Sequence, residues 1–277
     1  MKIKLSDGIV YIGDCLKILR EKLPYGCVDL VFSSPPYNIG KDYEKFKEDL
    51  DFSSYFSWME EVLKVLTEKL KGNGFLVLNI SDSIIDKETG KRIPLSFEIQ
   101  RILEGIGELE YYGRIIWKKG AFSNAFVKEI DIKITEPPLY ETHEVLLVYR
   151  RKPHTKNRAL LPSEISYADY LTYANSVWEI SPDITRRYYH PVPFPIELPQ
   201  RVIRHFTKRK EIVLDPFFGI GTMGLAATIE GRRFIGIELN PTYVEHFLED
   251  YKTIKKHFEI EKAKKKANLK FKREVKV

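Results

Sequence analysis

A corner of five residues, Ser33-Ser34-Pro35-Pro36-Tyr37, follows directly on an apolar run at 28–32. The run predicts a buried strand, and the two prolines end it because neither can donate a ladder hydrogen bond. Ser34 then presents a hydroxyl, Pro35 a carbonyl and Tyr37 an aromatic face at a strand's carboxyl end, where open α/β sheets place active sites. Two acceptors and one ring suit a flat base with an amino group, and an ordinary proline-rich turn is the alternative.

A glycine-rich turn much later in the chain could hold a cofactor. A short apolar strand ends in Asp215, Gly219 and Gly221 form a tight turn, and a helix begins near Thr222. The glycines allow close backbone approach, and a helix N-terminus favours an anionic group. The next apolar strand ends in Glu238, whose carboxylate can accept both hydroxyls of a ribose.

The glycine spacing leaves two cofactor classes to weigh. Gly219, Gly221 and Gly224 satisfy G-x-G-x-x-G, so a nicotinamide-dependent oxidoreductase is one alternative. Against it, Asp215 and Pro216 separate the strand from the glycines, and the carboxylate would face a pyrophosphate of like charge. An ammonium and a sulfonium would favour that carboxylate, so S-adenosylmethionine fits these residues better than NAD.

The two motifs together resemble those of amino-group DNA methyltransferases, in the circularly permuted (beta) subclass whose catalytic motif precedes the cofactor motif. Fragments 11–16, 74–80 and 190–195 extend the resemblance, in matching order, over most of the chain. The resemblance implies S-adenosyl-L-methionine as cofactor, with Glu238 on the ribose and Asp14 on the adenine amino group. The cofactor-binding residues that it implies are Asp14, Phe194, Asp215, Phe217, Gly219, Gly221, Thr222 and Glu238.

By the same resemblance, Ser34, Pro35, Pro36 and Tyr37 form the catalytic corner. The lone pair of an exocyclic amine is delocalised into its ring, and hydrogen bonds to Ser34 Oγ and the Pro35 carbonyl would localise it. In-line attack on a methyl group then needs positioning and desolvation. The base must leave the duplex to reach the corner, where Tyr37 would stack on it. No functional role is predicted for His143 and Glu144, which lie at the start of a predicted core strand.

The resemblance also bears on the substrate. Ser34 stands where cytosine-specific relatives usually have serine and adenine-specific relatives usually have aspartate, which favours N4-methylcytosine, with adenine N6 as the alternative. The sequence has no Pro-Cys nucleophile, which argues against methylation of the cytosine ring carbon. A restriction–modification setting with a cognate endonuclease, and a homodimer, are further implications. An RNA or protein methyltransferase is the alternative of another class.

Alternating strands and helices must position these residues. Helices are predicted at 53–70, 195–206 and 241–258, and seven strands at 9–13, 28–33, 75–80, 112–117, 144–149, 211–215 and 233–238. The pattern predicts a Rossmann-like, seven-stranded, mostly parallel sheet with helices on both faces. We expect one catalytic domain over 1–258 and a basic tail over 259–277.

Composition narrows the class of protein. Cys15 and Cys27 both lie beside predicted core strands, which argues against a disulfide framework or a metal site. The sequence has no apolar signal segment at its start and no run long enough to span a membrane, so we expect a cytoplasmic protein.

Basic residues point to double-stranded DNA as the partner. Residues 251–277 hold 11 Lys and Arg against three Glu, which accounts for the net charge of +6 of the whole chain. We expect the tail to be solvated and partly helical, with a non-specific phosphate contact as the alternative. Two irregular stretches, 118–140 and 150–190, are expected to be target-recognition inserts. The second begins with cations that we predict to contact DNA: Arg150, Arg151, Lys152, Lys156 and Arg158.

Overall fold

The computed structural model of the 277-residue chain describes residues 1–38, 50–86, 89–120, 141–153, 165–183 and 194–274, with side chains as far as 261. Within these residues one large sheet carries helices on both faces. No helix in these ranges combines the length and the apolar character that crossing a membrane requires.

A mixed, mostly parallel sheet organises the fold. The strands are β1 (Lys2–Lys4), β2 (Gly8–Ile12), β3 (Val28–Ser33), β4 (Leu70–Ile80), β5 (Ile84–Ile85), β6 (Arg92–Ile93), β7 (Leu109–Lys118), β8 (His143–Arg151), β9 (Val177–Glu179), β10 (Ile212–Asp215) and β11 (Arg233–Glu238). The described chain places nine of them in the order β1-β2-β11-β10-β3-β4-β8-β7-β9, and β5 pairs separately with β6. The neighbours in the series β2-β11-β10-β3-β4 are parallel, and so are β7 and β9. The pairings β1–β2, β4–β8 and β8–β7 are antiparallel.

All seven strands predicted from the sequence are present, as β2, β3, β4, β7, β8, β10 and β11. The predicted count of seven is nevertheless wrong, because β1 and β9 extend the sheet at its two edges. Each has only three residues, too few to show a period-two pattern in the sequence. Strand β9 is held by Trp178, which is almost fully buried in the core.

Seven helices within the described residues flank the sheet. They are α1 (Cys15–Lys22), α2 (Phe52–Lys69), α3 (Leu95–Glu104), α4 (Tyr167–Ala174), α5 (Glu197–Phe206), α6 (Thr222–Ile229) and α7 (Pro241–Glu274). Helix α2 begins after Asp51, whose side chain accepts a hydrogen bond from the Ser54 N–H at 3.0 Å, as expected of an N-cap. Helix α7 continues past the expected domain boundary at 258, so the basic tail extends the same helix as far as Glu274.

Strand β3 shows how the sheet divides the core into two halves. Val31 packs on one face with side chains of α1, α2 and α3, whereas Leu30 and Phe32 pack on the other with those of α5, α6 and α7. Successive strand residues point to opposite faces, and both faces here are covered. This burial explains why the central strands read as continuous apolar runs.

The two predicted recognition inserts lie only partly within the described chain. Residues 121–140 of the first and 154–164 and 184–190 of the second fall outside it, together with Lys156 and Arg158. The described part of the second insert contains α4 and β9, and β9 pairs with β7. Strand β9 of this insert therefore belongs to the main sheet.

Arg150, Arg151 and Lys152 lie far from the corner. Because β8 runs antiparallel to β4, the last residues of β8 lie beside the first half of β4, at the opposite end of the sheet from the carboxyl end of β4. Their hydrogen-bond acceptors are Asn73 Oδ1 at 2.8 Å for Arg150, the Glu68 and Leu70 carbonyls for Arg151, and the Gly107 carbonyl at 3.3 Å for Lys152. The protein itself engages these three cations at the end of the sheet away from the corner, and their contact with DNA stays a prediction.

Arg151 is therefore expected to contribute to stability. Arg151→Met keeps the apolar stem but leaves two carbonyls without their charged donor, and should lower the free energy of unfolding by about 1–3 kcal/mol. Lys152→Met, at an exposed side chain, is the matched control and should change it by less than about 0.5 kcal/mol. Urea unfolding measures both, and an Arg151→Met protein as stable as the wild type would contradict this role.

Candidate active site

A cavity of about 270 Å³ lies at the carboxyl ends of the parallel strands. Residues that directly follow β2, β3, β10 and β11 line it, together with Asn79 near the end of β4. The predicted site residues in its wall are Asp14, Ser34, Pro35, Pro36, Tyr37, Phe194, Phe217, Gly219, Thr222 and Glu238. The structure thus brings the proline corner and the glycine turn, far apart in sequence, to one cavity.

Adjacent strands bring the two motifs together. Strands β3 and β10 pair in parallel, with Leu30 opposite Val213, so both end at the same edge. Ser33, the last residue of β3, donates a hydrogen bond of 2.5 Å from Oγ to Oδ1 of Asp215, the last residue of β10. Both residues are fully buried, at 0% and 1% exposed, so the bond fixes one motif against the other out of reach of water.

Asp215, predicted as a cofactor ligand, lies behind the described cavity wall and outside it. Its Oδ1 also accepts a hydrogen bond from the Phe217 N–H at 3.0 Å, at the start of the glycine turn. Burial deprives the carboxylate of water and raises the pKa of Asp215 to about 7. The structure therefore uses this side chain to support the turn.

The glycine turn depends on Gly221, which caps the N-terminus of α6 with φ of 70°. A Cβ at this position would lie 2.2 Å from the ring of Phe247, so glycine is required both by backbone conformation and by space. Gly221 lies outside the described cavity wall, whereas Gly219 is part of it.

Two carboxylates face the cavity beside this turn. Glu238 accepts backbone hydrogen bonds from Gly219 at 2.6 Å and Asn240 at 2.8 Å, and its burial raises its pKa. Asp14 caps α1, where its Oδ1 accepts from the Lys17 N–H at 2.8 Å. Carboxylates at this position favour a ligand with hydroxyl, amino or cationic groups and disfavour a phosphate.

Aromatic rings form the apolar walls of the cavity. Phe217 packs against Trp58 of α2, with ring centroids 5.7 Å apart, and Phe194 packs edge-on against Phe32 at the same distance. Trp58 and Trp117 also line the cavity, and neither was predicted. Flat apolar walls of this kind suit an aromatic ligand.

Hydrogen bonds hold the proline corner in place. Tyr55 of α2 donates from its hydroxyl to the Pro36 carbonyl at 2.8 Å. The Tyr37 hydroxyl lies 2.9 Å from Ser34 Oγ and within donating distance, 3.2 Å, of the Asn79 carbonyl. The corner is therefore fixed to both α2 and β4.

A polar cluster behind the corner was missed by the sequence analysis. Glu144, to which no role was given, accepts hydrogen bonds from Asn79 Nδ2 at 2.5 Å, from the Tyr37 hydroxyl at 3.3 Å and from Lys119 Nζ. All four residues line the cavity. Two signals were available: Asn79 interrupts the apolar run of β4, and Glu144 puts a charge at the start of an apolar strand.

Comparisons with known proteins agree with this geometry. A family model described as DNA methylase matches residues 28–249. The Type II methyltransferase M.BglII of Bacillus subtilis is 29% identical over 249 residues, 85% of this chain and 66% of that protein, so this chain spans just under two thirds of its length. The DNA adenine methyltransferase YhdJ of Escherichia coli (strain K12) is 30% identical over 248 residues, 84% of this chain and 79% of YhdJ. TTHA0409 of Thermus thermophilus, named as a candidate DNA modification methylase and solved with S-adenosyl-L-methionine, matches 88% of this chain and 93% of its own, with 25% identity and a TM-score of 0.68.

The raised pKa of Asp215 predicts a pH-dependent stability. An acid that binds its proton more tightly in the folded state contributes stability at low pH that is lost as pH rises from about 4 to about 7. Asp215→Asn cannot titrate, so its melting temperature should improve relative to the wild type between about pH 5 and pH 8. Asp51→Asn is the control, because hydrogen bonds from Ser54 lower the pKa of that exposed carboxyl and its effect lies below this range. A constant difference between Asp215→Asn and wild type across the range would contradict a raised pKa.

Proposed function

We propose, from the premise that the chain belongs to the DNA methylase family whose model matches residues 28–249, that it is a site-specific DNA methyltransferase. It would transfer a methyl group from S-adenosyl-L-methionine to the exocyclic amino group of a base turned out of the duplex. The observation that carries this proposal is the shared cavity, in which Ser34 and Tyr37 lie on one side and Glu238 and Gly219 on the other.

The glycine-turn side of the cavity fits the cofactor. S-adenosyl-L-methionine supplies a methyl group on a positively charged sulfonium. Glu238, which two backbone N–H groups hold in the cavity wall, would accept ribose hydroxyls, and Asp14 would accept from the adenine amino group. Phe217 and Phe194 offer apolar surfaces to the rest of the molecule. The two carboxylates disfavour the pyrophosphate of NAD, which makes an oxidoreductase the weaker alternative.

The corner fits the amino group of the target base. Ser34 Oγ and the Pro35 carbonyl would accept its N–H bonds, and the Tyr37 ring would stack on the base. Because Tyr55 and Asn79 already fix the corner, little reorganisation is needed when the base enters. An aromatic cavity wall also excludes water from the reacting atoms.

We place the duplex at the cavity edge of the sheet, since the corner opens there. Lys118 ends β7 at this edge with its side chain half exposed, and it pairs with Glu179 at 3.2 Å. This lysine is a better phosphate contact than the three cations at the opposite edge. Lys156 and Arg158, outside the described residues, stay predicted contacts, and so do the inserts as readers of the recognition sequence.

The biological setting is also a proposal. The likeness to the Type II methyltransferase M.BglII supports a restriction–modification role with a cognate endonuclease in the cytoplasm. A homodimer is proposed on the family resemblance alone. An RNA or protein methyltransferase is the alternative, and methyl transfer to duplex DNA but not to RNA or protein would exclude it.

The two sides of the cavity should be separable by mutation. Ser34→Ala is expected to lower the single-turnover rate of methyl transfer at least tenfold, with the dissociation constant for S-adenosyl-L-methionine unchanged within a few-fold, because Ser34 would touch the base. Glu238→Ala should weaken cofactor binding by about 1.5–3 kcal/mol, the loss expected for charge-assisted hydrogen bonds.

Rapid-quench kinetics and calorimetry measure these two effects. Ser57→Ala and Glu60→Gln, both at exposed positions on α2, are matched controls that should leave rate and affinity unchanged. Unchanged cofactor affinity in Glu238→Ala, or lost affinity with a normal rate in Ser34→Ala, would contradict these roles.

The modified base is proposed to be cytosine, giving N4-methylcytosine. This choice rests on the serine at position 34, whereas the relative YhdJ is named as an adenine methyltransferase and supports the N6 alternative. Digestion of DNA methylated by the pure enzyme, followed by mass spectrometry of the nucleosides, is expected to give N4-methylcytosine. N6-methyladenine as the sole product would refute the choice of base while leaving the amino-group chemistry intact.

A further inference from the structure

A continuous series of hydroxyl groups leads from the corner to a buried carboxylate. Ser34 Oγ lies 2.9 Å from the Tyr37 hydroxyl, which lies 3.3 Å from Oε2 of Glu144. A carboxylate only accepts, so when Tyr37 donates to Glu144, its oxygen is left to accept the proton of Ser34. The backbone carbonyl of Asn79, 3.2 Å from the Tyr37 hydroxyl, is the second acceptor within its reach.

Glu144 is an unusual group to find in this position. It is 6% exposed, and its charge is compensated by Lys119 Nζ on Oε1 and by Asn79 Nδ2 on Oε2 at 2.5 Å. Buried ion pairs add little to stability compared with apolar side chains of similar size. A carboxylate that is buried beside a reactive corner and bonded to its tyrosine therefore points to a chemical role.

The proposed methyl transfer leaves a proton to be removed from the amino nitrogen. Once its lone pair bonds to carbon, the amino nitrogen carries four bonds and a positive charge. That nitrogen has lost its conjugation with the ring, so it is a strong acid. Even a carboxylate paired with lysine is basic enough to take its proton.

We propose that Ser34, Tyr37 and Glu144 form a proton relay that removes this proton during methyl transfer, with Glu144 as the terminal acceptor. This inference rests on the proposed function and adds to it the route of the proton. The relay stabilises positive charge as it develops on nitrogen, and therefore speeds the chemical step.

The step balances in atoms and charge. The nitrogen–carbon bond forms as the carbon–sulfur bond breaks, and the electron pair of the broken bond stays on sulfur. One N–H proton passes to Ser34 Oγ, the serine proton to the Tyr37 hydroxyl, and the tyrosine proton to Oε2 of Glu144. The positive charge of the sulfonium and the negative charge of Glu144 both disappear, while Lys119 stays charged. Glu144 returns its proton to water when the products leave.

The relay gives Tyr37 two separable duties. Its ring would stack on the base, and its hydroxyl would carry the proton. Tyr37→Phe keeps the ring and removes the relay, whereas Glu144→Gln keeps a side chain of the same shape that cannot take a proton. Because either change breaks the same relay, their effects should not add.

The test is a double-mutant cycle on the full chain with DNA and S-adenosyl-L-methionine at saturation. Tyr37→Phe and Glu144→Gln are each expected to lower the single-turnover rate at least tenfold, and the double variant should be no slower than the slower single one. Cofactor and DNA affinities should stay within about twofold of wild type. The wild-type rate should fall in D₂O with a curved proton inventory, and Tyr37→Phe should lose that curvature.

The chain offers a matched control pair at the other end of β8. The Tyr149 hydroxyl donates to Glu104 at 2.8 Å, a partly buried tyrosine–glutamate contact away from the cavity. Tyr149→Phe and Glu104→Gln should keep the wild-type rate, even where they lower the melting temperature.

Three results would overturn the relay: wild-type rates in both single variants, effects that multiply in the double variant, or rate losses fully explained by weaker binding. If Glu144→Gln does not fold, the rate and proton inventory of Tyr37→Phe decide alone. Failure of the proposed function is a different result, because wild-type protein would then transfer no methyl group to DNA.

Discussion

The site depends on one buried hydrogen bond, from Ser33 Oγ to Asp215, that joins the ends of β3 and β10. Parallel pairing brings these strand ends to the same end of the sheet. Oδ1 of Asp215 accepts a hydrogen bond from Ser33 Oγ and another from the Phe217 N–H at the start of the glycine turn. The corner and the turn therefore keep a fixed separation, which a transfer between two bound molecules requires.

Much of this arrangement was predictable because its signals are local. The strand that precedes Ser33 and the strand that ends in Asp215 are both continuous apolar runs, and prolines or glycines stop them. Open parallel sheets bind ligands at the carboxyl ends of their strands, so both motifs are expected at the same end of the sheet. What could not be predicted are features that depend on partners distant in sequence. Strand β9 forms by pairing with β7. The Asp215 side chain lies outside the cavity wall, where it is hydrogen-bonded to Ser33.

The position of Arg150, Arg151 and Lys152 also depends on a partner distant in sequence, because the pairing of β8 with β4 decides where these charges lie. A run of cations in sequence predicts a nucleic-acid contact only if the fold presents it to the ligand. Strand β8 reverses direction relative to β4, so a residue at its start, Glu144, reaches the cavity, and the cations at its end do not. The direction of β8 therefore decides which of its two ends reaches the cavity.

Asp215 and Glu144, two of the buried carboxylates near the cavity, differ in how their charge is compensated. Asp215 is held by a hydroxyl and an N–H group with no cation in contact among the described residues, and burial shifts its pKa towards the protonated form. Glu144 has Lys119 beside it, together with the Asn79 amide. Positioning the turn requires only hydrogen bonds, which a protonated or an ionised Asp215 can both supply. Receiving a proton requires a carboxylate oxygen within reach of the donor, and Glu144 Oε2 lies 3.3 Å from the Tyr37 hydroxyl. The different partners of the two carboxylates therefore match a structural role for one and a chemical role for the other.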